Sequence, residues 1–425
     1  MHPIPTDRKA ADRSPIRVRE CRSSEDKVIK ETGVRTAEPS AKQGSAGPGR
    51  RVKLAVQVAR ELENKILTMK WPIGFQIGQE AALASELGVS RWTLREAVRV
   101  LEAAGLVASR KGAGGGLYVA SNAHDFLCQM VSSYFEFIHI SGAEFSAVMT
   151  ALGDLAIVRA FDRLSQEERD EIEGLLKISA SLPLQHQMER IGSVHKILVR
   201  ASGNPALSLC MGVLKRMTSD ACIYSRLDDA QWFGAFADMM RTISDLGRAV
   251  LDGDIQRAHS ANAELSAAHR LMLEASVIHL RQPIAEAIPE RAYNFFPPAR
   301  PVKKAEGVER GIREMIFADG TTIGSSLGSE KELAAQFGVG RWVLREALRS
   351  LEQLGVIEMG WGGRIGLRVV SPDPATVTDA CRRQLRREGM RRQHATEVRA
   401  VLRDQALPAG APTPISDLFE NILVC

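Results

Sequence analysis

The feature that most constrains this chain is a repeat. Gly88-Val89-Ser90-Arg91-Trp92-Thr93-Leu94-Arg95-Glu96-Ala97-Val98-Arg99 returns as Gly338-Val339-Gly340-Arg341-Trp342-Val343-Leu344-Arg345-Glu346-Ala347-Leu348-Arg349, a shift of 250 residues (338 − 88). The match runs without a gap to Gly105 and Gly355, with 12 of 18 positions identical. Whatever folds around the first stretch must fold again around the second, so two similar units bracket the rest of the molecule.

Each copy reads as a turn followed by a helix. Gly88 offers the side-chain-free position that a tight turn between helices needs. Ser90 is suited to cap a helix beginning at Arg91. Leu94, Ala97, Val98 and Leu101 then recur at helical spacing and must face a core. Arg91, Arg95 and Arg99 share the opposite face with Trp92, and Gly105 ends the helix. A short helix from Ala81 to Leu87 precedes the turn, which makes a helix-turn-helix presenting its second helix outward.

Two short strand-like runs follow, Leu106-Val107-Ala108 and Leu117-Tyr118-Val119, around the basic, glycine-rich Arg110-Lys111-Gly112-Ala113-Gly114-Gly115-Gly116. The second copy has Val356 to Met359 and Ile365 to Val370 around Gly360-Trp361-Gly362-Gly363-Arg364. A hairpin with a basic tip placed there reads as the wing of a winged helix. One arginine-rich helix alone is ordinarily a solvated face. Turn, helix and wing occurring together twice point to nucleic acid.

At these residues the chain resembles the GntR family of bacterial regulators, whose DNA-binding domain carries the same gly-val-ser-arg and arg-glu-ala-leu pattern followed by a wing. The second copy keeps the family's helix-start signal in Gly328-Ser329-Glu330-Lys331-Glu332-Leu333-Ala334, where Ser329 and Glu332 form a capping box. In the first copy Gln79 holds the serine position. Trp92 and Trp342 stand where the family has a small hydroxyl residue.

Composition sets the outer bounds. The 425 residues suffice for two to four domains. An apolar fraction of 44% with sparse aromatics and abundant helix formers implies a mostly α protein. The net charge of +5 is modest, and it is the clustering of arginine in the repeats that argues for DNA. Cys21, Cys128, Cys210, Cys222, Cys381 and Cys425 form no CxxC pair, which fits reduced thiols rather than a disulfide scaffold or zinc ribbon. The N-terminus lacks a signal-peptide apolar segment, and no apolar run is long enough to span a bilayer, so a cytoplasmic protein is expected.

In order, residues 1–50 read as a disordered basic extension. Residues 51–120 read as the first winged domain, with Leu54, Val58, Leu62 and Ile66 on one face of its opening helix. Residues 121–285 read as a helical bundle of five to seven helices, with a capping box at Ser165-Gln166-Glu167-Glu168 and breaks at Gly203-Asn204-Pro205 and Gly253-Asp254. A proline-rich linker covers 286–305. The second winged domain covers 306–371, with Val308, Ile312, Met315 and Ile316 as its opening face. A helical or irregular, arginine-heavy tail covers 372–425, with Glu397 to Leu402 resembling the start of another effector domain. The expected fold is therefore two winged helix-turn-helix domains flanking an all-α bundle.

That bundle resembles the FCD-type effector and dimerisation domain of one GntR subfamily (FadR-like), most clearly at Val194 to Pro205. Members of that subfamily hold a divalent metal through one Asp and three His. Here only His195 matches, because Ile191, Ile243 and Leu265 occupy the other three positions. The resemblance thus implies no metal cofactor. His259, His269 and His279, ten apart, rotate well away from one another on a helix and are expected at the surface.

The implied function is sequence-specific transcription regulation, as a repressor, on double-stranded DNA, with a small organic effector and no enzymatic role. Ser90, Arg91, Trp92, Thr93, Arg95, Arg99, Lys111, Arg341, Trp342, Arg345, Arg349 and Arg364 are the candidate DNA-contacting residues. The arginine fork matches guanine O6 and N7, and wing residues position the protein on the backbone. The two readers would be presented by a homodimer or by one chain acting as an intramolecular pseudo-dimer. The rival reading is a non-specific architectural DNA binder.

Overall fold

The computed structural model describes residues 48–69, 74–103, 105–110, 115–120, 123–138, 140–177, 184–223, 225, 227–276, 304–318, 321–359, 366–404 and 413–424. Among the described residues the fold is mostly helical, with two small sheets.

The first winged unit opens with α1 (Pro48–Thr68), followed by β1 (Gln76–Gly78), α2 (Glu80–Glu86) and α3 (Arg91–Ala103). Val58, Leu62 and Ile66 are buried, but Leu54 is exposed and Ala55 takes the core position. A strict four-residue spacing overshoots a 3.6-residue turn by 40° at each step, so its far end leaves the face. β2 (Val107–Arg110) and β3 (Gly116–Val119) form the wing, and β1 pairs with the free edge of β3. Gly116 is required there, since a Cβ would lie 2.7 Å from the Gly78 carbonyl oxygen.

After the wing come α4 (Ala123–Phe137), α5 (Gly142–Phe161), α6 (Gln166–Leu176), α7 (Leu184–Ala201), α8 (Pro205–Ile223), α9 (Asp229–Asp252) and α10 (Ile255–Glu274). The Ser165–Glu168 capping box forms as the spacing predicts. Gly253 ends α9 in the left-handed conformation (φ 75°) and Asp254 caps α10. α10 packs against α5, α8 and α9. It is covered on more than one side, so the expectation of surface histidines holds only in part: His259 and His269 are half-buried. His259 Nδ1 lies 2.7 Å from Asp154 Oδ1, and burial beside His195 holds His269 down at about 3. His279 lies outside the described residues.

The second winged unit repeats the first with α11 (Lys304–Ala318), α12 (Glu330–Gln336), α13 (Arg341–Gln353), β4 (Ile357–Met359) and β5 (Leu367–Val369). Val308, Ile312 and Ile316 are buried as expected, while Met315 is half-buried. The Ser329–Glu332 capping box is present, whereas Gln79 makes no side-chain cap on α2. A single bridge, Ser326 to Arg368, stands where β1 pairs in the first copy.

The last segment consists of α14 (Pro374–Arg387), α15 (Arg392–Arg403) and α16 (Pro414–Ile422). The 250-residue shift continues into it. Buried Val377, Cys381, Leu385, Ala395, Val398 and Leu402 stand opposite buried Leu127, Val131, Phe135, Phe145, Val148 and Leu152 at that shift. α14 packs on α4, α15 packs on α5 and α8, and α16 packs on α14, α15 and α5. One apolar core therefore runs through α4, α5, α8, the second winged unit and these three helices, while the first winged unit has a core of its own.

Candidate nucleic-acid interface

The exposed helix of each winged unit is positioned by the same local chemistry. In the first copy Gly88 takes a left-handed turn (φ 63°), and in the second Gly338 does so (φ 59°). Leu94, Ala97 and Leu101 bury one side of α3, as Leu344, Ala347, Leu348 and Leu351 do for α13. Each helix is tied to its wing by a carboxylate. Glu102 accepts the backbone N–H of Ser109 at 2.9 Å, and Glu352 accepts that of Met359 at 3.4 Å, again one repeat apart.

The outward faces carry the charge that the sequence placed there. Arg91, Arg95, Arg99, Arg341, Arg345 and Arg349 are exposed, and so are Ser90 and both tryptophans. Trp92 is 45% and Trp342 69% accessible. Single exposed aromatic rings are ordinary on a protein surface, but these two stand at the same repeat position on the arginine-bearing face of each helix. Lys111 and Arg364, at the expected wing tips, lie outside the described residues. At the base of the first wing the Arg110 guanidinium sits over the Tyr118 ring, 4.2 Å from its centre.

Thr93 departs from the expectation. It is buried, and its hydroxyl is 2.8 Å from Ser90 Oγ, which in turn accepts the Thr93 backbone N–H at 3.1 Å. Its hydroxyl is spent on the helix cap, so Thr93 shapes the turn rather than facing outward. In the second copy Gly340 and Val343 replace this pair, and α13 starts without a side-chain cap.

Sequence reasoning missed the partners of the arginines. Glu80, the first residue of α2, pairs with Arg95. Its counterpart Glu330 lies 2.9 Å from Arg345 and 3.5 Å from Arg341. These side chains remain largely in water, so the pairs orient the guanidinium groups more than they stabilise the fold. The signal was legible in the repeat, since Glu80 and Glu330 are 250 residues apart. In the first copy a cleft of about 480 Å³ opens between α3 and the wing, with Glu80, Arg95, Arg99 and Arg110 on its walls.

A second cavity, of about 870 Å³, lies in the bundle among α4, α7 and α8, with Glu388 at the end of α14 on its rim. Its walls include His124, His195, Lys196, Lys215 and Arg216. Burial holds His195 down at about 4, so it is neutral at pH 7. Burial, and then Lys196, lower Lys215 to about 8, and its ammonium donates to the Gly192 carbonyl at 3.0 Å. Ile243 and Leu265, which the sequence resemblance sets at two metal positions, are buried. Among the described residues no three His, Cys, Asp or Glu side chains group as a metal site. No helix among them is long and apolar enough to cross a membrane.

The family model described as bacterial regulatory proteins, gntR family, matches residues 54–117 and again 304–366. Among solved structures the chain is similar to the Streptococcus agalactiae GntR at 19% identity, covering 51% of this chain and 99% of that one, with a TM-score of 0.33. It is also similar to E. coli McbR/YncC at 18% identity, covering 52% and 97% of the two chains, with a TM-score of 0.25.

Proposed function

We infer that this chain is a DNA-binding transcription regulator of the GntR type whose two winged units read the two halves of one DNA site. The observation that carries the reading is the double family match over two segments that each expose an arginine- and tryptophan-bearing helix face. Arg91, Arg95, Arg341 and Arg345 are assigned to guanine edges or to phosphates at the groove mouth. Arg99 and Arg349, one turn further on, are assigned to phosphate. Lys111 and Arg364 would follow the backbone from the wings.

The two readers are not equivalent. Ser90, held in place by the buried Thr93, offers an exposed hydroxyl at the start of α3, whereas Gly340 offers none at the start of α13, so the second half-site differs from the first or is held more weakly. Repression follows if the occupied site overlaps a promoter. The bundle cavity is the place for a small organic effector, and Lys215 and Arg216 suit one bearing a carboxylate or phosphate. A ligand there touches α4, α7, α8 and Glu388, and so bears on the segment carrying the second reader.

The test is to incubate the purified protein with genomic fragments at physiological salt and sequence those retained. A two-part motif that loses one half in Arg95→Ala and the other in Arg345→Ala supports the reading. Uniform retention fading with added salt would instead identify an architectural binder of DNA backbone.

A further inference from the structure

Each winged unit is fastened to the other half of the repeat by an ion pair, and the two pairs have opposite polarity. On one side Arg313 of α11 meets Glu136 of α4, with both side chains nearly sealed from water. Asp220 lies 3.8 Å from the same guanidinium and 3.1 Å from Arg216. Beside them Gln129 donates to Glu309 at 3.2 Å, and the rings of Phe137 and Phe317 meet edge to face at 5.0 Å. On the other side Glu63 of α1 meets Arg383 of α14 at 3.3 Å; Arg387 adds to the positive field there and Asp379, paired with Arg383, offsets part of it.

Residue 63 corresponds to 313 at the 250-residue shift, and 136 corresponds to 386. The first half thus carries Glu63 on its winged helix and Glu136 on its docking helix. The second half carries Arg313 on its winged helix and Arg383, Arg386 and Arg387 on its docking helix. If two first halves paired in the same way, Glu63 would face Glu136 and Asp220. If two second halves paired, Arg313 would face Arg383 and Arg387. Only a first half against a second half puts opposite signs together.

We propose that this charge inversion selects the partner: each half of the repeat is built to pair with the other half of its own chain and to reject a copy of itself. This deepens the reading above by naming the assembly that carries the two readers, a single chain acting as a pseudo-dimer. Like charges brought together at a partly desolvated contact act against wrong partners as effectively as opposite charges favour the right one. The apolar contacts of α14 with α4 and of α15 with α5 supply adhesion without this selectivity.

The experiment uses the full chain with a protease site inserted between residues 277 and 303, cut after folding. Glu63 and Arg383 are chosen because Arg383 is partly exposed, so exchanging them leaves the sealed Arg313–Glu136 pair intact. The uncut protein is expected to sediment as a monomer of 46.5 kDa at micromolar concentration. In the cut protein, Glu63→Arg or Arg383→Glu alone should speed separation of the halves about tenfold, and the double exchange should restore most of the loss. An uncut protein at twice that mass would overturn the proposal, as would a double exchange no better than the worse single. A dimer that still selects a two-part motif sinks this inference alone. A monomer that selects none supports the pairing and removes only the DNA reading.

Discussion

The Glu144 carboxylate, wholly buried in α5, stands 2.8 Å from the backbone N–H of Ile415 and 3.2 Å from that of Ser416. It satisfies two of the amide donors that the first turn of α16 would otherwise bury without a partner. Burial pushes this carboxyl up to about 7 despite those two hydrogen bonds. Its folded value lies above its unfolded one, so its contribution to stability is complete below about pH 4.5 and is lost as pH rises through about 7. Glu144→Gln keeps an acceptor and cannot ionise. Its stability relative to the parent should therefore improve between pH 5 and pH 8, as read from denaturant midpoints. Glu144→Ala should cost about 1–3 kcal/mol by orphaning the amides. A parent and Gln variant with parallel pH profiles would refute this.

Arg95→Ala and Arg345→Ala are expected to leave the melting temperature within about 2 °C, because both side chains are largely in water and their ion pairs are weak. Each should nonetheless cost about 1–3 kcal/mol in binding to the selected site, with preference relaxed at one base position. Fluorescence anisotropy against matched and mismatched duplexes separates this from a uniform loss.

Glycine at the root of the wing should be more critical in the first copy than in the second. Gly116 has φ 148° and no room for a Cβ beside Gly78. A Cβ on Gly366 would lie 3.0 Å from the Gly328 oxygen, a milder crowding. Gly116→Ala should destabilise the first winged unit by about 1–3 kcal/mol and Gly366→Ala by less, visible as the order in which amides of the two wings exchange.

Phe419 anchors the last helix. It is fully buried and meets Phe135 of α4 edge to face, 6.0 Å between ring centres. Phe419→Ala should cost about 3–5 kcal/mol and raise hydrogen exchange across α14 to α16 before it affects the first winged unit, which has a separate core.

What was legible in the sequence was local. The Ser165 and Ser329 capping boxes, the Gly88 and Gly338 turns and the stripe from Leu94 to Leu101 depend on neighbours within a few residues. The sequence therefore displays them directly. Thr93 was misread because its hydroxyl has two uses, and only the geometry of Ser90 shows which is taken. The histidines of α10 were placed at the surface because periodicity reveals one buried face and not that three helices surround this one. Glu63 with Arg383, Glu136 with Arg313 and Glu144 with Ile415 join residues 177 or more positions apart. No spacing rule reaches them, although the repeat, carried beyond Gly355, would have aligned α4 with α14.

Because both outward helices belong to one polypeptide and differ at Ser90/Gly340 and Thr93/Val343, the molecule has a front and a back. A two-fold symmetric reader lies on its site equally well in either direction. On the pairing proposed above, this one would have a single best orientation, with its bundle facing the same flank of the sequence it occupies. On that same pairing its readers would share one covalent tether, and no second molecule would have to be captured before both engage. Occupancy of a two-part site should then rise with the first power of protein concentration, down to levels at which separate subunits would have drifted apart.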